Sequence, residues 1–377
     1  MKSRIAISAV AIVFLYGRTI PLELAAQTEA IGSRSESDRA ESTFITFDVP
    51  GAVSTLPVSI NPAGKITGTY FDALNSVSHG FMRAPDSSIT TFDVPDASFT
   101  EPTSINPEGV ITGVYGDARF VSHGFLRERH GNIIRFDVPG GADTFPQSIN
   151  PAGAIAGFYT QGTTFVPHGF VREPDGIIVT FDAPDGVQTA ASSINPAGAI
   201  TGDYQDVQLV YHGFLRAPDG TVITFDVPGI LFTIPQSINP AGTITGYYRD
   251  KNRVAHGFLR APDGTITAFD VPDARSTSPQ SINPSGEITG SYSDSHGAGH
   301  GFLRERNSTI TSLDVPGAVA TSAISINPAG AITGSYSDAS HKTHGFVRIR
   351  CVPDKDGKCS GREQVLLRIA DNGLMGL

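Results

Sequence analysis

The stretch "IPQSINPAGTITGYYRDKNRVAHGFLRAPDGTITAFDVP", Ile234 to Pro272, holds four short runs rich in β-branched and aromatic residues. They are "IPQSIN", "TITGYY", "HGFLR" and "TITAFDV", each bounded by turn-forming residues. No helical stripe of useful length crosses them, so each reads as a β-strand. Two connections, "NPAG" and "APDG", place Pro where φ must lie near −65° and Gly where a left-handed residue is needed. Both fit a type I turn closed by a glycine bulge, the usual short hairpin loop. The other two connections read as longer, as in "DALNSVS" (Asp72–Ser78) and "VPGAVSTLP" (Val49–Pro57). Only a connection of about eight residues can cross from the outside of one sheet to the inside of the next. That fixes the strand order from inside to outside as "SIN", "ITGxY", "HGFLR", "TITTFD".

This arrangement recurs seven times with a period of 44 or 45 residues. The "FDVP"-like element begins at Phe47, Phe92, Phe136, Phe181, Phe225, Phe269 and Leu313, and "SINP" begins at Ser59, Ser104, Ser148, Ser193, Ser237, Ser281 and Ser325. Four-stranded sheets repeated at such a period predict an all-β chain, a seven-bladed β-propeller of four-stranded antiparallel blades. The array opens on an outer strand, "STFITFDVP" (Ser42–Pro50), with no "HGF" ahead of it. It ends on "HGFVRIR" (His344–Arg350), a third strand lacking its fourth. Pairing the two closes the last blade with the N-terminal strand and removes the exposed edges of an open array. "REQVLLRI" (Arg362–Ile369) competes for the same place.

A His and an Asp recur in step, 14 residues apart. The pairs are His79/Asp93, His123/Asp137, His168/Asp182, His212/Asp226, His256/Asp270 and His300/Asp314, and the ring closure would set His344 against Asp48. A residue present once per blade serves each blade, whereas an active site on a pseudo-symmetric ring needs one position to differ from the rest. These pairs therefore read as structural, each a charge-assisted bond between neighbouring strands. By the same logic the Arg of "HGFxR" (Arg83 to Arg348) reads as a blade-edge partner for backbone or acid. The Tyr of "TGxY" (Tyr70 to Tyr336) reads as packing between blades. The Thr seven residues after each Asp (Thr55 to Thr321) reads as a loop brace, and the Asn of "SINP" as a turn former.

Units of the form "SINPAGxITGxY…HGFLR" resemble the HAF-type repeat of bacterial extracellular proteins, over Thr43–Arg350. Here the middle residue is Gly in all seven units rather than Ala. The resemblance implies export and a propeller-like fold, and no common activity.

The termini agree with export. "MKSRIAISAVAIVFLYGRTIPLELAAQ" carries Lys2 and Arg4 ahead of a 12-residue apolar run, Ile5–Tyr16, with Ala25-Ala26 as a cleavage point. The run is shorter than the ~20 residues of a membrane span, so residues 1–26 read as a signal peptide, with no stable membrane span after cleavage. Residues 27–41 are polar and read as a disordered leader, residues 42–350 as the propeller, and 351–377 as a disulfide loop (Cys351 with Cys359) and tail. The expected location is secreted or otherwise extracytoplasmic, and the expected state a monomer. Formal net charge is −10 for the chain, and −12 without residues 1–26, where three of 27 basic and one of 37 acidic side chains lie. Such a surface repels phosphate backbones and disfavours nucleic acid as a partner.

Function is expected where repeats differ, on the face that carries the long connections. Phe99, Glu101, Asp143, Phe145, Phe232 and Arg275 vary there and form a candidate ligand face for a protein, peptide or polysaccharide. His296 and His341 fall outside the repeating set, each near an acid, Asp294 or Asp338. They are the candidates for a divalent metal, no cofactor being otherwise implied. Phosphate loops, the G-x-S-x-G elbow, H-E-x-x-H and zinc spacings are absent from the sequence. The leading reading is a secreted binding or interaction module. The alternative is a secreted hydrolase or lyase acting on polysaccharide or a small molecule, its site assembled from scattered acids and histidines.

Overall fold

The computed structural model describes residues 42–73, 77–162, 165–229 and 232–350. Among them are 28 β-strands and no helix. The strands form antiparallel blocks of four, and every block but the last spans one sequence unit. In the second unit they are Phe99–Ile105, Ile111–Gly116, Ser122–Arg127 and Ile133–Phe136, paired in that order. Five such sheets are separate, and the sixth sheet has eight strands. It joins the first unit to the last through a single parallel bridge, Ser54 with Thr343. Within it the N-terminal strand Ser42–Phe47 pairs antiparallel with Thr343–Arg350, from Ser42 opposite Arg350 to Phe47 opposite Gly345.

The cores lie between units rather than inside them. Ile105, Ile111 and Phe125 of the second unit pack with Met82 and Phe92 of the first, beneath Val94 of the crossover. The same layer recurs where the ends of the chain meet: Ile60, Ile66 and Phe81 pack on Val347 and Ile349, with Ile45 and Phe47 of the N-terminal strand. Each large apolar side chain buried in this way stabilises the fold by about 1.5–3 kcal/mol. The fourth strands alternate half-buried ends with exposed middles, as expected at an outer edge.

Two glycines per unit are fixed by contact. The first strand of every unit carries a β-bulge just before the Ser of "SINP", as between Pro102 and Ser104. There the glycine of "ITG" lies so close that a Cβ on Gly113 would sit 2.3 Å from the Glu101 carbonyl oxygen. The glycine of "HGF" is crowded from the other side, since a Cβ on Gly124 would meet the Phe136 ring at 2.7 Å and Pro146 at 3.0 Å.

One expectation about connections is corrected. Between the second and third strands the link is a tight hairpin in the second, fourth, fifth, sixth and seventh units. Asp117 N–H bonds the Val121 carbonyl at 3.0 Å and Phe120 N–H returns to the Asp117 carbonyl at 2.9 Å, the same closure as in the "NPAG" turn. The loop is held by Asp117 Oδ1, which accepts from the N–H groups of Arg119 and Val121 at 2.7 and 2.9 Å. An aspartate side chain thus does the work that the sequence elsewhere signals with Pro and Gly. Only the crossover from fourth strand to next first strand is long in these units. The segments 1–26, 27–41 and 351–377, with Cys351, Cys359 and Arg362–Ile369, lie outside the described residues.

Candidate functional site

Every recurring His meets its expected Asp. His79 Nδ1 lies 3.0 Å from Asp93, His123 2.8 Å from Asp137, His168 2.9 Å from Asp182 and His212 2.9 Å from Asp226. His256 lies 2.9 Å from Asp270, His300 2.9 Å from Asp314, and His344 2.8 Å from Asp48 on the N-terminal strand. The hairpin "APDG" sets this register: Ala217 N–H bonds the Thr221 carbonyl, and Gly213 pairs with Phe225.

A second carboxylate was not foreseen in this role. The Asp that anchors the hairpin after the second strand turns its Oδ2 towards the same imidazole, at 3.3 Å for His212 and Asp206 and 3.2 Å for His344 and Asp338. Looser versions hold His79 with Asp72 at 3.5 Å, His300 with Asp294 at 3.6 Å, and His123 with Asp117 at 3.9 Å. Burial alone pulls the His212 imidazole down, but hydrogen bonds to Asp226 and Asp206 outweigh it and the net shift is upward. The bonds from Val210 N–H, His212 and Gln208 N–H keep the Asp206 carboxyl below the usual range against slight desolvation.

The Tyr of "TGxY" joins the core between units as expected, Tyr115 lying with Met82, Phe92 and Val94. It also stacks on the His of its own unit, with ring centroids 4.9 Å apart for Tyr204 and His212. The third unit tests the arrangement internally, because Gln161 stands where the others have Asp. There the Tyr159–His168 stack is the loosest, at 5.5 Å and 36°, against 25° for Tyr204 and His212.

The recurring Arg meets backbone as expected, since Arg172 and Arg260 Nη1 donate to the carbonyls of Glu173 and Ala261 at 3.4 Å, and it also makes a contact that was not foreseen. Arg127 lies over the Phe92 ring of the preceding unit at 4.7 Å, and Arg83 over Phe47 of the N-terminal strand at 4.9 Å. Each is buried, and burial lowers both guanidinium pKa values. Six of the seven units are held in this way by a cation–π contact, and in the seventh Leu313 stands where the others have the ring. The Thr brace is present: Thr100 Oγ1 accepts from Val94 N–H at 3.1 Å.

The candidate ligand face is mostly taken up by packing. Glu101 is fully buried and accepts from Ser78 Oγ at 2.9 Å. Phe145 is buried and stacks on Phe158 at 4.9 Å, and Phe232 packs on Tyr211 at 4.8 Å beneath Arg249. Asp143 accepts from Ser122 N–H and Thr160 Oγ1 at 2.9 and 3.0 Å. Phe99 is half-buried beside Gly116, and only Arg275 is exposed. The residues that do project were missed. Phe120, Phe165, Val207 and Leu209 are 61–69% exposed, at the tips of the hairpins after the second strand in three successive units. Phe120, Phe165 and Leu209 have φ of 60°, 54° and 64°, a left-handed conformation that bulky side chains rarely adopt. Apolar periodicity did not mark them out, since Phe120, Phe165 and Leu209 run directly into Val121, Val166 and Val210, with Val207 two residues ahead of Leu209.

His296 and His341 are exposed on the same face. Asp294 and Asp338 are engaged with their own loop N–H groups and with His300 and His344. Among the described residues no group of three or more His, Cys, Asp or Glu side chains is gathered as a metal site. Nor, among those residues, is any helix long and apolar enough to cross a membrane.

Solved structures resemble this arrangement at the level of the chain path. The β-propeller domain of the Trilobed protease from Pyrococcus furiosus, described as having an open velcro topology, superposes with a TM-score of 0.57 at 9% identity, covering 78% of this chain and 95% of its own. The fold is a β-propeller. A prolyl endopeptidase matches with a TM-score of 0.55 at 9% identity over 82% of this chain, and puromycin hydrolase with 0.54 at 11% over 77%. This chain spans about half the length of those two enzymes, 54% and 52%. The sequence matches no protein-family model and no curated protein.

Proposed function

We propose that this chain is an exported binding module of the HAF-type repeat kind: seven blades closed into a ring by the N-terminal strand, engaging a protein, peptide or polysaccharide through the loop face. Closure is supported by contacts that link the last unit to the first as they link every other neighbouring pair. Asn61 Nδ2 donates to the Asn106 carbonyl at 3.0 Å, and Asn327 Nδ2 donates to the Asn61 carbonyl at 3.1 Å. Ile105 N–H bonds Ser59 Oγ, and Ile60 N–H bonds Ser325 Oγ, both at 3.3 Å.

The observation that carries the binding role is the row of apolar tips at Phe120, Phe165, Val207 and Leu209. Holding bulky residues in the left-handed region costs of order 1–3 kcal/mol each, and exposing them forgoes burial. A surface that keeps both costs in three adjacent units has the character of a docking site. The catalytic alternative gains nothing from the recurring histidines, which sit between carboxylates and a tyrosine ring. The test is a thermal-shift screen of the full chain against peptides and polysaccharides, where a ligand at 100 times its dissociation constant adds about 2.7 kcal/mol. A response should appear and should vanish in the triple variant Phe120→Ser, Phe165→Ser, Leu209→Ser. A response undiminished in that variant refutes the role assigned to the tips.

A further inference from the structure

The junction between the last two units is built from small residues. At the other junctions the residue between Gly and Tyr of "TGxY" and the one after the brace Thr are mostly bulky. Val114 and Phe145 sit there between the second and third units, both buried. Between the sixth and seventh units the corresponding pair is Ser291 and Ser322, which share a hydrogen bond of 3.0 Å. Ser278 and Ser335 occupy the same two strand positions on either side. The lost volume is a cleft of about 370 Å³ that opens on the loop face. That is the lower end of the range for small-molecule sites, ~300–1,000 Å³.

Its lining has a definite chemistry. No lining side chain carries a charge, and apart from Ser, Thr and Tyr the wall is Leu56, Gly299 and Ala320. Among the described residues, the hydroxyls of Ser276, Ser278, Ser293, Ser335 and Ser337 form no side-chain hydrogen bond. Each is free to donate once and accept twice. Tyr336 also lines the cleft, its ring packing at this junction with Leu303, Leu313 and Val315 and stacking on His344 at 5.0 Å, while Tyr292 lines it with its ring in the core shared with the fifth unit. Free hydroxyls alternating with aromatic and aliphatic surface, without charge, match a molecule whose own surface alternates hydroxyl and C–H.

We infer that this cleft binds a neutral saccharide, one or two sugar rings in size. The site shares with the function proposed above only the face on which it opens, and the apolar tips lie on other units.

The test is titration calorimetry of the full chain with glucose, galactose, fucose, maltose, cellobiose and lactose, and with glucuronate as the charged control. At least one neutral sugar should bind with a dissociation constant of about 1 mM or tighter, and glucuronate more weakly. The double variant Ser291→Val, Ser322→Phe transplants the pair found between the second and third units, and should weaken binding at least about tenfold with unfolding unchanged. If that variant does not fold, Ser293→Ala and Ser335→Ala delete single hydroxyls and should each weaken binding measurably. The triple variant of the apolar tips should bind sugar as the parent does, which separates this site from the docking surface. Failure of all six neutral sugars to bind, or binding indifferent to these serine substitutions, overturns the inference.

Discussion

His212 and Asp203 lie in the same unit and titrate under opposite influences. His212 gains from both carboxylates, so its folded pKa lies above the unfolded value of about 6.5. The stabilisation is then complete below that unfolded value and is lost as pH rises through the raised one. His212→Gln should therefore cost more at pH 5.5 than at pH 8.5, by about 1 kcal/mol in urea unfolding, a figure reduced because Asp226 is 40% exposed. Asp203 stands opposite Ala190 and Gly213 on the flanking strands, and burial pushes its carboxyl up to about 7. A raised carboxyl favours folding while protonated, and that contribution disappears as pH climbs from about 4 to about 7. Asp203→Asn should accordingly be more stable than the parent at pH 8, by about 1–2 kcal/mol, and equal to it near pH 4, as followed by urea midpoints. The His–Asp pairs were legible because a fixed spacing across a tight turn dictates register. The second carboxylate and the ring contact of the Arg were not, because they depend on side-chain direction and on the neighbouring unit.

At the scale of strands and turns, the glycine of "HGF" is the sharpest constraint. Its neighbours at Gly124 are an aromatic ring on the outer strand and a proline of the next unit, both in packed positions. Gly124→Ala must move one of them, and should lower stability by about 1–3 kcal/mol, read as a fall in thermal midpoint. The sixth unit offers a contrast. There the outer residue is Leu313 and the next unit presents Ala323, so a Cβ on Gly301 meets the Leu313 carbonyl oxygen at 2.8 Å and side chains only at 3.3 Å or beyond. Turn chemistry shows where sequence reading was sufficient and where it failed. "NPAG" and "APDG" announced their hairpins through Pro and Gly. The hairpin after the second strand carries Phe120, Leu209, Arg253 or His341 at its left-handed position, so it read as an open loop. Ser87 and Ser308 show how such a site is tolerated where glycine is replaced: φ is 71° and 73°, and each hydroxyl accepts from the Arg four residues before it, at 2.8 and 2.9 Å.

On the scale of the molecule, a period of 44 or 45 residues was enough to foresee four-stranded units in series. Their wrapping about one another was less visible, because the linking bonds run through Asn and Ser side chains that also make local turns. Proposed closure by the N-terminal strand has a direct consequence. Phe47 supplies the ring beneath Arg83, Asp48 the partner of His344, and Ile45 part of the core shared by the first and last units. A chain beginning at Ala52 would leave Arg83 buried without its aromatic partner and Thr343–Arg350 with an open edge. Losing even one fully packed Phe costs about 3–5 kcal/mol, and two sets of interactions disappear here together. The shortened chain should unfold at a markedly lower temperature, and amide exchange should accelerate first in Thr343–Arg350 and Ile66–Arg83. The milder change Phe47→Leu keeps the strand and removes only the ring, giving the residue that Leu313 supplies at the corresponding position of the sixth unit. It should cost about 1 kcal/mol and leave exchange in Thr343–Arg350 slow. If the shortened chain unfolds at the parent temperature with unchanged exchange, some other segment seals the ring.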